Sequence, residues 1–320
     1  MLNVTVRQLQ VFVAVAEQLS LARVAEQLRL TPSAVSFQIR KIEEQTGFEL
    51  FERIGRGVAL TDAGATLLAY ARLMLQSLEV ADQAMAGLRG ADSGRVRLGL
   101  VSTAKYIVPH MIARFRETAP NVAVQLREGN RRAVLDLLLE GEIDLAIMGQ
   151  PPEGADVLAE RIASHPSVII GPPGHRLRAT RSVAPAALAE DWFVIREDGS
   201  GTRSLSDRFF RAAGFEPKVA MESSSNEMIK QSVMAGIGLA LISRHTISLE
   251  LALGLLVTLP VEDFPVLRAW FVVQRRTLPL LPVQARLRGF LVERGQAVID
   301  EIERGHAKLA MQFGGRRRGK

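Results

Sequence analysis

The sequence contains no cysteine. Disulfides, thiolate nucleophiles and Cys-ligated zinc are excluded together, and a reducing cytosol suits such a chain. It also lacks any apolar run near the ~18 residues a membrane span needs; the longest candidates, such as 237–242, are strand-sized. No secretory signal is legible, because the apolar stretch 11–16 is too short and Glu17 follows it in place of a cleavage site. An excess of cations is missing where a nucleic-acid binder would use it. Residues 1–90 hold nine basic and nine acidic side chains, and the overall +6 owes +4 to Arg316, Arg317, Arg318 and Lys320. Bulk charge therefore says little about DNA, and any such argument has to come from local geometry.

What is present is an ordinary globular composition, 48% hydrophobic and 23% charged over 320 residues, enough for about two domains. Three regimes follow one another. Residues 1–60 are helical in period with one Gly-rich tight turn, and 61–90 read as one long helix. From 93 to about 303, short β-rich runs (96–101, 122–126, 145–148, 168–170, 238–242, 271–273) alternate with helical stretches. That alternation predicts βαβ units and a mostly parallel sheet. The loop 91–94 marks the boundary between the long helix and the α/β part.

Ser20 can cap a helix whose apolar residues Leu21, Val24, Ala25 and Leu28 follow helical spacing. After a short turn, Thr31 and Pro32 supply an N-cap and a first-turn proline. In that second helix Val35, Ile39 and Ile42 fall on one side, Ser33, Ser36, Phe37 and Arg40 on the other. The second set is a short polar face near a helix N-terminus, where a recognition helix meets base edges. An αα-hairpin inside any helical bundle would share the spacing, but it would leave Phe37 in water without a reason. Next, Gly55 and Gly57 around Arg56 suit a tight hairpin, hence a wing that places Arg53 and Arg56 beside phosphates. Two solvated arginines on a loop are the alternative.

From Gly64, the positions Leu67, Ala71, Met74, Leu78, Ala81, Met85 and Leu88 are spaced 3-4-3-4, and none is polar. A 3.5-residue period implies a partner helix, so this is the candidate dimer seam. An amphipathic helix lying on its own chain is the alternative. A dimer would place two recognition helices on a two-fold axis and read a palindromic site.

At this point the residues resemble a family. The segments 20–28 and 31–36, with Gln38, Ile39, Glu43, Gly47, 50–53 and 60–64, look like the DNA-binding signature of LysR-type transcriptional regulators. The effector half, in 101–106, 129–131, 142–154, 199–203 and 226–231, looks like the branch that regulates RubisCO (Calvin-cycle) operons. The resemblance implies an α/β multidomain chain: a winged helix–turn–helix at 1–60, a dimerising linker helix at 61–90, and a two-lobed, periplasmic-binding-protein-like effector domain at 91–303. The lobes would be about 95–165 with 270–303, and about 166–269; a disordered basic tail at 304–320 would follow. Many members place glutamine at the first position of the recognition helix; here it is Pro32, so specificity would lean on Ser33, Ser36, Phe37 and DNA shape. The candidate DNA-contacting set is Ser20, Arg23, Thr31, Pro32, Ser33, Ser36, Phe37, Arg40, Arg53 and Arg56.

Ser102 and Thr103 follow the first strand and precede a helix, which predicts an anion site at the carboxyl edge of a parallel sheet. Gly199, Ser200, Gly201, Thr202 and Arg203 do the same in the second lobe, with glycines freeing backbone amides. Lys105, Asn130 and Gly149 complete the candidate effector set, and Lys230, Arg244 and His245 offer further charge. For each Ser or Thr the alternative is an ordinary helix cap. The resemblance implies a small anionic effector, a phosphorylated metabolite or a nucleotide, and no cofactor.

Enzymatic readings find little support. Ser102 and Lys105 match a bare Ser-x-x-Lys motif without its partners, and the five histidines lack metal spacing. No Gly-x-Ser-x-Gly elbow occurs, and Gly236 and Gly238 lack the third glycine of a dinucleotide fingerprint. A solute-binding protein would explain 95–300 alone. The reading is a cytoplasmic, non-enzymatic regulator, homodimer or homotetramer, on an interrupted palindrome of double-stranded DNA. RNA polymerase is a further expected partner and a membrane is not. A LysR-type regulator of another metabolic operon, sensing a different anion, is the alternative.

Overall fold

The computed structural model describes residues 3–55, 57–88, 93–152 and 154–314. They form two compact units that divide between Gly90 and Ala91. Among the described residues no helix is long and apolar enough to cross a membrane.

The first unit packs α1 (Val6–Gln18), α2 (Leu21–Leu28) and α3 (Pro32–Thr46) around Phe12, Val15, Val24, Val35, Ile39 and Ile42. Local chemistry sets the helix ends. The hydroxyls of Thr5, Ser20 and Thr31 accept bonds from Gln8, Arg23 and Ala34 amides, the left-handed residues Leu19 and Arg29 stop α1 and α2, and Gly47 stops α3. Strands β1 (Phe51–Ile54) and β2 (Gly57–Leu60) pair antiparallel from Phe51/Leu60 to Ile54/Gly57, giving the expected wing. The Leu19 carbonyl accepts the Val58 amide at 3.2 Å and ties the wing to the end of α1.

Helix α4 (Asp62–Leu88) corrects the seam in part. Its first three seam positions, Gly64, Leu67 and Ala71, pack on their own domain, with Ala71 fully buried in the core that contains Phe12. Gly64 is required there, because a Cβ would overlap the Leu50 carbonyl. The physical reason is that a 3-4 spacing serves an intramolecular face as well as an intermolecular one, and the smallest residues sit where α1 crosses. Met74, Leu78, Ala81 and Met85 remain exposed.

The second unit opens with β3 (Gly94–Val101), α5 (Val108–Thr118), β4 (Val122–Gly129), α6 (Arg131–Leu139) and β5 (Leu145–Met148). Its three strands are parallel, with β3 between β4 and β5. The chain leaves this lobe on β6 (Val157–Gly171). It then builds a second lobe from β7 (Trp192–Arg196), α7 (Gly201–Ala213), β8 (Lys218–Ser223), α8 (Asn226–Met234), β9 (Ala240–Ser243), α9 (Ser248–Ala252) and β10 (Val257–Thr258). It returns on β11 (Val266–Arg275) and ends with α10 (Pro282–Gly314). One core holds Leu98, Phe115, Ile147, Trp270 and Leu291; the other lobe buries Phe193, Phe210 and Leu241 on one side of its sheet and Val194, Ile229 and Ile242 on the other. β6 and β11 contribute to both lobes.

Two expectations need correction. Among the described residues parallel pairing is confined to β3–β5, β7 with β8, and isolated bridges at Phe193/Leu239 and Val183/Val261. β6 pairs antiparallel with β9, β10 and β11, and β11 pairs antiparallel with β5, because the chain crosses between lobes on extended strands and not through helical crossovers. The expected disorder of 304–320 fails over 304–314, where α10 continues. His306 is half-buried there, and Ser248 Oγ lies 2.7 Å from its Nδ1. Residues 315–320 lie outside the described residues.

Candidate functional site

The first surface belongs to α3. Ser33, Phe37 and Arg40 are exposed, Ser36 is half-buried, and Phe37 presents 54% of its surface with Lys41 Nζ 5.6 Å from the ring centroid. Pro32 occupies the first helical turn, and Thr31 Oγ1 lies 2.9 Å from Ser33 Oγ. The hydroxyls of Ser20 and Thr31 accept capping bonds and retain a proton to donate outward. Arg23 on α2 and Arg53 on β1 are exposed, and neither has a carboxylate partner among the described residues. Arg56 and the side chain of Leu88 lie outside the described residues.

The second site lies between the lobes, at the carboxyl ends of β3, β5 and β7 and the N-termini of α6 and α7. It is a cavity of about 20 Å³, room for about one water. Ser102, Thr103, Asn130, Gly149, Ser200, Gly201 and Thr202 of the expected set line it. Asn130 caps α6 by accepting the Ala133 amide, and Ser200 caps α7 by accepting the Thr202 amide. The amides of two helix ends therefore converge on the cavity, an arrangement that favours negative charge. Gly199 flanks it, against Asn130.

Three expectations about charge are corrected. Lys105 pairs with Glu128 at 3.2 Å outside the cavity. Arg203 turns away to Asp207 and Glu222 at 2.9 and 2.8 Å, because those carboxylates lie on its own helix face and on β8. Lys230 is held by Glu227 and Glu250. Thr103 is followed by a single 3-10 turn, Ala104–Tyr106, so the Ser102 and Thr103 hydroxyls act there without a helix dipole.

The positive charge comes from residues that spacing did not reveal: Arg131, Arg196 and Arg268. Arg196 is buried; it donates to both Glu197 oxygens, to Asn226 Oδ1 at 2.8 Å, and across the lobes to Ser102 Oγ at 2.9 Å. Arg131 Nε donates to the Gln150 carbonyl at 2.9 Å. Arg268 donates to Ser167 Oγ and, weakly, to the Gly201 carbonyl, while its Nε has no partner. Neither Arg131 nor Arg268 has a carboxylate partner among the described residues. Burial, with help from Arg208, pushes the Arg268 guanidinium down to about 10. A partly desolvated cation without a counter-ion favours an anion beside it.

Outside the cavity further bonds join the lobes, two of them beside it. Arg132 meets Asp198 at 3.0 Å, which holds that carboxyl below its usual range. Tyr106 Oη donates to Glu227 at 2.7 Å, and burial and that carboxylate push the phenol far up.

A winged helix–turn–helix and a two-lobed cleft in one chain define a DNA-binding transcriptional regulator. The model of the bacterial regulatory helix-turn-helix protein, lysR family, matches residues 6–65, and that of the LysR substrate binding domain matches residues 89–296. The chain belongs to the LysR family. It is 40% identical over 308 residues to the RuBisCO operon transcriptional regulator of Allochromatium vinosum, covering 96% of this chain and 100% of that protein. It is 44% identical over 285 residues to the HTH-type transcriptional regulator CbbR of Rhodospirillum rubrum, covering 89% and 95%. Among solved structures it is similar to the regulatory domain of Synechocystis PCC6803 CcmR in complex with 2-PG. The TM-score is 0.61 and the identity 31%, over 63% of this chain and 97% of that one.

Proposed function

We propose that this chain is a cytoplasmic, non-enzymatic regulator of carbon-dioxide-fixation genes that responds to a small phosphorylated anion bound between its lobes. The carrying observation is Arg268, a half-buried cation with no carboxylate partner among the described residues, beside two converging helix N-termini and Arg131. The relatives that regulate RubisCO operons support the target, and the 2-PG complex of the CcmR regulatory domain supports the ligand class. On DNA, Ser33, Ser36, Phe37 and Arg40 read an interrupted palindrome, while Ser20, Arg23, Thr31 and Arg53 hold phosphates. The exposed half of the seam, from Met74 to Met85, pairs two copies into a dimer, which can assemble further into a tetramer. An effector that prefers one cleft geometry shifts the population of lobe arrangements, and only such a preference can alter DNA binding.

A thermal-shift panel of sugar phosphates, 2-PG and nucleotides on the full chain tests the reading. At least one phosphorylated compound is expected to raise the midpoint and to change the operator footprint. A panel without any effect rejects the anion cleft.

A further inference from the structure

His165 lies in the middle of β6, fully buried, and lines the cleft. It is the cross-strand partner of Arg268, so both side chains rise from the same face of the β6–β11 ladder. Trp270, two residues along β11, stacks on its ring at 3.7 Å between centroids. A Cβ at Gly149 would sit 2.6 Å from His165 Nδ1, so only glycine leaves room for the imidazole. Neither ring nitrogen has a hydrogen-bond partner among the described residues. An orphaned buried polar atom is costly, and a native fold keeps one where something else completes it.

The groups that face the ring explain what would complete it. Arg268 and Trp270 approach from β11, and His245 stands 6.2 Å away in the turn after β9. Arg131 from α6, Ser102 and Thr103 from the end of β3, and Arg196 from β7 line the same cavity. Glu197 is already bound by Arg196, and Glu303 reaches His245 at 3.8 Å. Among the described residues no carboxylate is left to stabilise an imidazolium. Burial first, then Arg268 and His245, hold His165 well below the usual histidine range. An anion seated against Arg268 reverses the local field at the neighbouring ring.

We propose that His165 is an effector-binding residue that takes up one proton from solvent together with the anion, so that occupancy of the cleft is coupled to pH. It rests on the anion-site reading given above. The bound anion offers acceptors only, and the imidazolium supplies an N–H donor and a positive charge toward it. Between the free and bound proton affinities of the ring, binding tightens as pH falls, by at most about tenfold per pH unit because one proton is involved.

Sulfate is the probe, since it stays a dianion across the range and any pH dependence belongs to the protein. Isothermal titration of the full chain with sulfate from about pH 8 to about pH 5.5 is expected to show affinity rising about threefold to tenfold per unit at the acidic end. The heat should also vary with the buffer's ionisation enthalpy, as for uptake approaching one proton. His165→Gln should bind sulfate with a flat pH profile. In Trp192→Phe, Trp270 is the sole tryptophan; its emission should be quenched on sulfate addition at acidic pH, as a stacked imidazole becomes protonated. Wild-type binding with flat affinity and buffer-independent heat overturns the role of His165 and leaves the anion cleft standing, as does an unchanged pH profile in His165→Gln. No binding of sulfate, phosphate or 2-PG by the wild type overturns both. If His165→Gln does not fold, the wild-type buffer comparison decides by itself.

Discussion

The α3 surface and the inter-lobe cleft both offer arginine, and they use it under opposite conditions. Arg23, Arg40 and Arg53 stand in water, where salt screens each of them and a contact contributes about 1 kcal/mol or less. Arg268 is half-buried, partly desolvated and has no carboxylate partner among the described residues. Its field is weakly screened, so one side chain can decide whether an anion binds. The first surface is graded and additive; the second depends on a few groups.

The largest expected effect is in the cleft. Arg268→Met should lose about 100-fold or more in anion affinity while leaving the unliganded chain at least as stable, since a partly desolvated, unpaired charge is removed. Titration and thermal melting check the two halves of that statement, and a loss below about tenfold would erase the contrast between the surfaces. Helix α4 contains a contrast of its own. Ala71→Asp should unfold the first unit, at a cost of about 3 kcal/mol or more for a charge in a sealed core. Leu78→Asp should spare the fold and abolish dimers in sedimentation; dimers that survive would locate the self-contact elsewhere.

Acid should weaken the cleft region before it weakens the α3 surface. Burial lowers the proton affinity of His165, and burial together with Arg244 lowers His245 to about 4. The unfolded chain therefore holds more protons below about pH 6.5, and stability is lost as pH falls from there toward 4. The loss is up to ~1.4 kcal/mol per unit for each imidazole. Melts across that window check it, and His245→Gln should flatten the profile. The smallest effect belongs to the wing. Arg53→Ala should cost about 1 kcal/mol in DNA binding, alike for all sequences, and lower the salt slope by about one. A loss as steep as that of Arg268→Met would contradict the additive description.

Legibility followed the range of the interactions. Ser20, Thr31 and Pro32 announce helix ends through bonds to residues within a turn, and Val35, Ile39 and Ile42 reveal the buried face through their spacing alone. The cleft residues at strand ends and helix starts, Ser102, Asn130 and Ser200 among them, were legible for the same reason. His165 and Arg268 were not: each lies inside a strand, and they meet only because β6 and β11 pair across about a hundred residues of chain. Ala71 belongs to its own domain's core, because apolar spacing records that a face is covered and not by what. Arg203 sits beside the glycine run, yet its carboxylate neighbours come from α7 and β8.

The narrow cavity also sets a clock. A space that admits about one water cannot receive a sugar-phosphate-sized guest until Arg196 and Ser102 separate. Capture would then proceed no faster than the lobes part, and the observed on-rate would level off at high ligand concentration. Brief metabolite pulses, shorter than the interval between openings, would leave most molecules unchanged, and sustained supply would not.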